Sequence, residues 1–192
     1  MKKIILFILF CYFNISFAQK GEFISVSTVF SGSDSWKNWN VRLLKENGSF
    51  NTIFSGSGAW REWRVYLGDE YGTISTIFSG DDAWKYWRFN FDNISGTIRT
   101  VFSGNDAWTD WDISSEGTTL RASTIFSGSD RWKNWRITGK NGEILVRTRF
   151  SGNDAFRDWD IDDKMEEENI YIKFAAIFAC IFSGIYNNVD LK

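Results

Sequence analysis

Apolar and polar positions alternate along this chain in short bursts that return every 24 residues. The triplet Phe-Ser-Gly recurs at Phe30, Phe54, Phe78, Phe102, Phe126 and Phe150 without insertion or deletion, each preceded two residues earlier by Thr. Six residues after the Phe stands Trp36, Trp60, Trp84, Trp108 or Trp132, with Phe156 in the last copy. Nine after it stands Trp39, Trp63, Trp87, Trp111, Trp135 or Trp159. A fixed period of this length marks a repeat architecture, in which each unit buries its apolar face against the next.

Each unit reads as two short strands around a turn. Ile74, Thr76 and Phe78 fall on one face with Ser75 and Ile77 on the other; further on, Trp63, Val65 and Leu67 oppose Arg64 and Tyr66. That period of two is the strand signature, and the Thr, Val and aromatic content agrees with it. Between the strands, Ser-Gly-x-Asp breaks the alternation. Two Trp spaced by three share a face only in a helical turn, which predicts a short helical or 3₁₀ segment. Its Asp (Asp34, Asp82, Asp106, Asp130 and Asp154) is expected as an N-cap, with Gly58 in the second copy. A glycine turn such as Asn47-Gly48, Tyr71-Gly72, Glu116-Gly117 or Asn141-Gly142 closes the unit.

The fold class is therefore all-β, with six tandem copies. Two packings compete: a β-solenoid with two short strands and a Trp-containing turn per coil, or stacked antiparallel hairpins closing as an up-and-down barrel. The closing Gly slides from 18 residues past the Phe (Gly48, Gly72, Gly96) to 15 (Gly117) and 16 (Gly142), while the period stays 24. A moving hairpin turn changes cross-strand register, whereas a coil needs only a fixed perimeter. The residue after the second Trp alternates in charge through Arg88, Asp112, Arg136 and Asp160, as stacked neighbours would. Both points favour the solenoid. The basic row Lys37, Arg61, Lys85, Lys133 and Arg157 opposes it, because stacked like charges repel.

Residues 1–18 read as a signal peptide: Lys2 and Lys3, an apolar run from Ile4 to Phe13, and Ser16-Phe17-Ala18 as a small-x-small cleavage site. The product is expected to be exported, to the periplasm, the cell surface or the medium of a bacterium. Cys180 is then the only thiol, which leaves no intrachain disulfide. Residues 19–161 form the six-repeat domain and 162–192 a C-terminal capping segment. In the latter, Tyr171 to Tyr186 is almost wholly apolar, yet at 16 residues falls short of the ~20 that span a bilayer. No transmembrane span is expected. Phe182-Ser183-Gly184 resembles the repeat triplet and points to strand structure.

Composition narrows the chemistry. With 22 basic residues against 24 acidic and no basic cluster, nucleic acid is not an expected partner. The chain has no His, hence no imidazole base or metal ligand, and Cys180 has no base beside it. It reads as a non-enzyme with a structural or surface-interaction role, its partner a glycan or another surface protein. The alternative is a carbohydrate-binding module using an exposed row of Trp36, Trp60, Trp84, Trp108 and Trp132. Asp106, Asp110 and Asp112, and again Asp154, Asp158 and Asp160, gather acids near the Trp turn, a candidate Ca²⁺ site.

Overall fold

The computed structural model describes residues 22–191; the leader reading of 1–18 lies outside the described residues. Twelve strands run as one antiparallel meander: β1 Phe23–Thr28, β2 Asn38–Leu43, β3 Asn47–Thr52, β4 Glu62–Leu67, β5 Glu70–Thr76, β6 Tyr86–Phe91, β7 Ile94–Thr100, β8 Asp110–Ser115, β9 Thr118–Thr124, β10 Asn134–Gly139, β11 Gly142–Thr148 and β12 Asp158–Asp163. β1 pairs with β12, so the sheet closes into a barrel. The solenoid is thereby overturned, and the up-and-down barrel is the packing the chain adopts.

The two arguments for stacked coils fail for identifiable reasons. Gly48, Gly72 and Gly96 are not turn residues but lie within β3, β5 and β7, where a Cβ would come within 2.3–2.7 Å of a neighbouring strand's carbonyl oxygen. The true connections between units begin at residues 44, 68, 92, 116 and 140, a constant step, and the register is correspondingly constant. The second Trp always faces the residue eleven places on: Trp39↔Phe50, Trp63↔Ile74, Trp87↔Ile98, Trp111↔Ala122, Trp135↔Val146. The alternating charges meet partners on the adjacent antiparallel strand rather than one another. Asp112 faces Arg99, Asp160 lies 2.6 Å from Arg149, and Arg136 lies 3.3 Å from Glu143.

Strand faces follow the alternation. In β4, Trp63, Val65 and Leu67 are buried while Arg64 and Tyr66 are exposed, so the apolar face turns inward. The outer wall, with Arg42, Arg64, Arg88, Arg99 and Arg136 exposed, inverts the apolar-out pattern of a membrane barrel. An eight-stranded barrel is filled by its own side chains, and twelve strands leave a wider bore. Here the bore holds the C-terminal segment as a helix, α1 Ile170–Asn188. Instead of capping an open end with strand structure, it threads the interior. By composition it is long enough to cross a membrane, yet 78% of its apolar window is buried within the protein.

The plug is fitted by aromatic contacts and one ion pair. Phe174, Phe178 and Phe182 recur every four residues on one helix face and meet Phe50, Phe91, Trp63 and Trp87 at ring separations of 4.7–5.8 Å. At Gly184 the helix touches the wall, and a Cβ there would stand 2.7 Å from Trp159 Cζ2. Asn169 accepts from the Tyr171 backbone N–H and caps the helix. Lys173 Nζ lies 2.8 Å from Asp163 Oδ2, with both side chains nearly inaccessible, and donates also to the Met165 carbonyl. Asp163 in turn accepts from the backbone N–H groups of Glu22, Phe23 and Met165. This pair ties the helix start to the seam where β12 meets β1.

Candidate functional site

All six odd-numbered strands end at Thr and run into a Phe-Ser-Gly loop, so antiparallel order puts the six loops on one rim and the short connections on the other. Each loop glycine has a φ of 93–102°, which disfavours any side chain. A 3₁₀ turn follows, and the second Trp closes it. Its indole N–H donates to the carbonyl of the aromatic residue three places back, at 2.6–2.9 Å in five copies, with Trp159 onto Phe156 in the sixth. The spacing of three thus satisfies a carbonyl that a short helix would leave unpaired. The acceptor is backbone, which explains why Phe replaces the first Trp in the last copy without loss.

The first Trp is not an exposed row. Trp36, Trp60, Trp84, Trp108 and Trp132 are only 5–7% accessible. Trp36, Trp60, Trp84 and Trp132 each set an edge against the second Trp of the next copy, about 6 Å centre to centre. A cation covers the ring in every copy: Lys37, Arg61, Lys85 and Lys133 over their own Trp, Arg157 over Phe156, and Arg131 over Trp108.

The Asp expected as N-caps make no side-chain cap bond at Asp34, Asp82, Asp106 or Asp130, whose backbone, at φ −93 to −96° and ψ 5–10°, departs from the extended N-cap conformation, and Asp154 lies inside a turn that starts after Gly152. They hold the cations instead. Asp34–Lys37, Asp82–Lys85, Asp130–Lys133 and Asp154–Arg157 are ion pairs of 2.7–3.1 Å within one turn. Four of the five members of the basic row are neutralised in this way. The fourth copy has Thr109 where a base belongs, and Arg131 of the fifth reaches back to Asp106 and Trp108 in its stead. That compensation was visible in the sequence as a single Arg among Ala and Ser at the position before the first Trp.

No protein family, curated protein or solved structure matches the chain. The site therefore rests on its own geometry.

The acidic groups proposed for Ca²⁺ do not converge. Asp106 pairs with Arg131, Asp110 with Arg121 at 3.0 Å, Asp112 with Arg99 at 3.6 Å, Asp154 with Arg157 and Asp160 with Arg149, while Asp158 begins β12. Among the described residues no three acidic, Cys or His side chains are grouped to hold an ion. Asp106 and Asp154 lie in the rim turns, while Asp110, Asp112, Asp158 and Asp160 lie on the outward faces of β8 and β12. Cys180 lies inside the plug, where burial pushes its thiol well above the ordinary range, so it carries no thiolate.

The Phe row is a feature that the strand alternation does not reveal. The period of two continues the strand to Phe30, Phe54, Phe78, Phe102, Phe126 and Phe150, on the face of the preceding Thr, yet each lies past the strand end and is 54–63% exposed. Phe78 leans on Tyr86 of the outer wall and Phe102 lies under Arg121. Between Phe126 and Phe150 is an open groove of about 540 Å³, with Asp130, Lys133, Asn134 and Arg149 along it. A second hollow, of about 510 Å³, lies on the rim where the helix end emerges.

Proposed function

We propose that this is an exported, non-catalytic surface-interaction protein, a plugged barrel that presents six equivalent aromatic loops to a repetitive glycan surface. The observation that carries this reading is the exposure of the Phe in all six copies. The six units serve as an internal comparison. The second Trp is invariant because it is fully buried, and the loop Gly because of its φ, but burial gives no reason for an invariant exposed Phe. Burying six such rings against a partner recovers apolar surface that folding leaves in water.

Glycan is the chemistry favoured by the groove between Phe126 and Phe150. Its aromatic walls suit the C–H face of a sugar ring, and its carboxylate, amide and cationic groups suit hydroxyls. Each contact is weak, and a ring of six gains through avidity on a surface that repeats. Retention of the mature chain on insoluble polysaccharides tests the idea, with a variant carrying Phe→Ser in all six loops as comparison. Retention that drops steeply as loops are removed supports it. Equal behaviour of the two proteins, or no retention of the wild type on any glycan, would sink it. Mass spectrometry of the secreted product, expected to begin at Gln19, tests the export.

A further inference from the structure

Besides the Thr109–Arg131 exchange and Phe156, the rim departs from its six-fold pattern in the second and third copies, where two charges of opposite sign, unpaired among the described residues, line one hollow. Of the six cations lying over the first aromatic of the 3₁₀ turns, five have a carboxylate partner. Arg61 has none among the described residues, because its copy carries Gly58 where the others carry Asp. Its guanidinium rests over Trp60 at 5.1 Å and reaches only the Gly80 carbonyl, at 3.5 Å. The next copy alone places an Asp directly after Phe-Ser-Gly; this Asp81 is exposed and makes no ion pair or hydrogen bond among the described residues.

Both groups line the 510 Å³ hollow between the second, third and fourth loops. The end of the chain's plug supplies its inner wall. Tyr186 packs against Trp84 at 4.6 Å with the rings tilted by 32°, and Leu191 is held by the Trp60 indole N–H, which donates to its carbonyl at 2.9 Å. The helix also touches the fourth and sixth copies, through Ser183 on the Trp108 carbonyl and Gly184 beside Trp159, whereas Tyr186 and Leu191 at its end line this hollow. The volume suits one or two sugar rings.

We infer that this hollow binds a carboxylated sugar, a uronic acid unit, with Arg61 taking the carboxylate and Asp81 the ring hydroxyls. A guanidinium presents a planar pair of donors that matches a carboxylate, and an unpaired one gives up no existing ion pair to bind it. Asp81, as a pure acceptor, suits hydroxyl donors. Tyr186 and Leu191, half-buried at the helix end, offer the apolar patch that a pyranose face covers. Gly80 and Gly104 of the Phe-Ser-Gly loops border the hollow, but none of the six exposed Phe lines it, so its role is separate from theirs.

Calorimetric titration of the mature protein with D-glucuronate, D-galacturonate and glucose tests this, with acetate as control. At least one uronate binds with a dissociation constant on the order of 1 mM or tighter, while glucose and acetate bind at least tenfold more weakly. Arg61→Gln and Asp81→Asn each weaken uronate binding about tenfold or more. Gly58→Asp restores the rim pattern of the other copies, pairs with Arg61 and abolishes binding while the melting temperature is kept. Arg157→Gln, at a paired position, leaves binding unchanged. Absence of saturable uronate binding, glucose binding as tight as uronate, or indifference to Gly58→Asp overturns the assignment. Binding here with no retention on glycan surfaces would separate this site from the Phe ring.

Discussion

The two rims of the barrel are made by the same strands and serve opposite ends. At the short-connection rim the chain turns in two or three residues, and the buried Lys173–Asp163 pair fastens the plug to the seam. At the other rim each connection runs through Phe-Ser-Gly and a 3₁₀ turn, ion pairs are exposed, and six Phe face solvent. Exposed pairs contribute little to stability, whereas a buried charge left alone is severe. One rim therefore holds the fold, while the other is free to present groups that folding does not need.

Substitutions at the two rims should differ most in stability. Lys173→Ala leaves Asp163 buried beside an empty position and is expected to cost about 3–5 kcal/mol, read from the urea midpoint. An unchanged midpoint would show that the seam lock is dispensable. Within the bore, Gly184→Leu drives a side chain into Trp159 and is expected to cost about 1–3 kcal/mol.

A smaller effect is expected on the pH axis. Burial raises the pKa values of Cys180, Tyr171 and Tyr186. A raised acid is favoured in its neutral form when folded, so its contribution is complete below the unfolded value and lost as pH climbs from there through the folded one. Stability should thus fall above about pH 9, where an exposed thiol ionises. Cys180→Ala should flatten the first part of that fall in a series of melts; an unaltered slope would assign it to the tyrosines. Least of all, Phe54→Ser should change stability by no more than about 0.5 kcal/mol while lowering glycan retention. A large loss of stability would instead make the Phe a structural clasp and erase the contrast between the rims.

Much of the wall was legible in the sequence. The period of two correctly assigned the inward face, including Trp63, Val65 and Leu67, and the spacing of three located the 3₁₀ turn. Parallel or antiparallel packing was not legible, because a 24-residue unit with two strands fits either. The deciding clue was misassigned: Gly48, Gly72 and Gly96 look like turn residues, but they are strand positions emptied for close approach. The helix escaped for a related reason. Amphipathicity reveals a helix that faces water on one side, whereas α1 is enclosed by barrel all round and apolar all round. In short windows such a run cannot be told from a buried strand. At the candidate site, Gly58 and Asp81 were visible only as departures from consensus, and they acquire meaning once the helix end is seen beside them.

The enclosed helix also constrains how such a protein can arise. An open stack of coils grows or shrinks by a repeat and remains a working stack. A ring has a circumference, and here an object of fixed width occupies its centre. Loss of one copy would leave ten strands around a helix too thick for them, and a seventh would leave fourteen strands loose around it. Duplication of this unit therefore has a stopping point, and α1 is the gauge that sets the count at six.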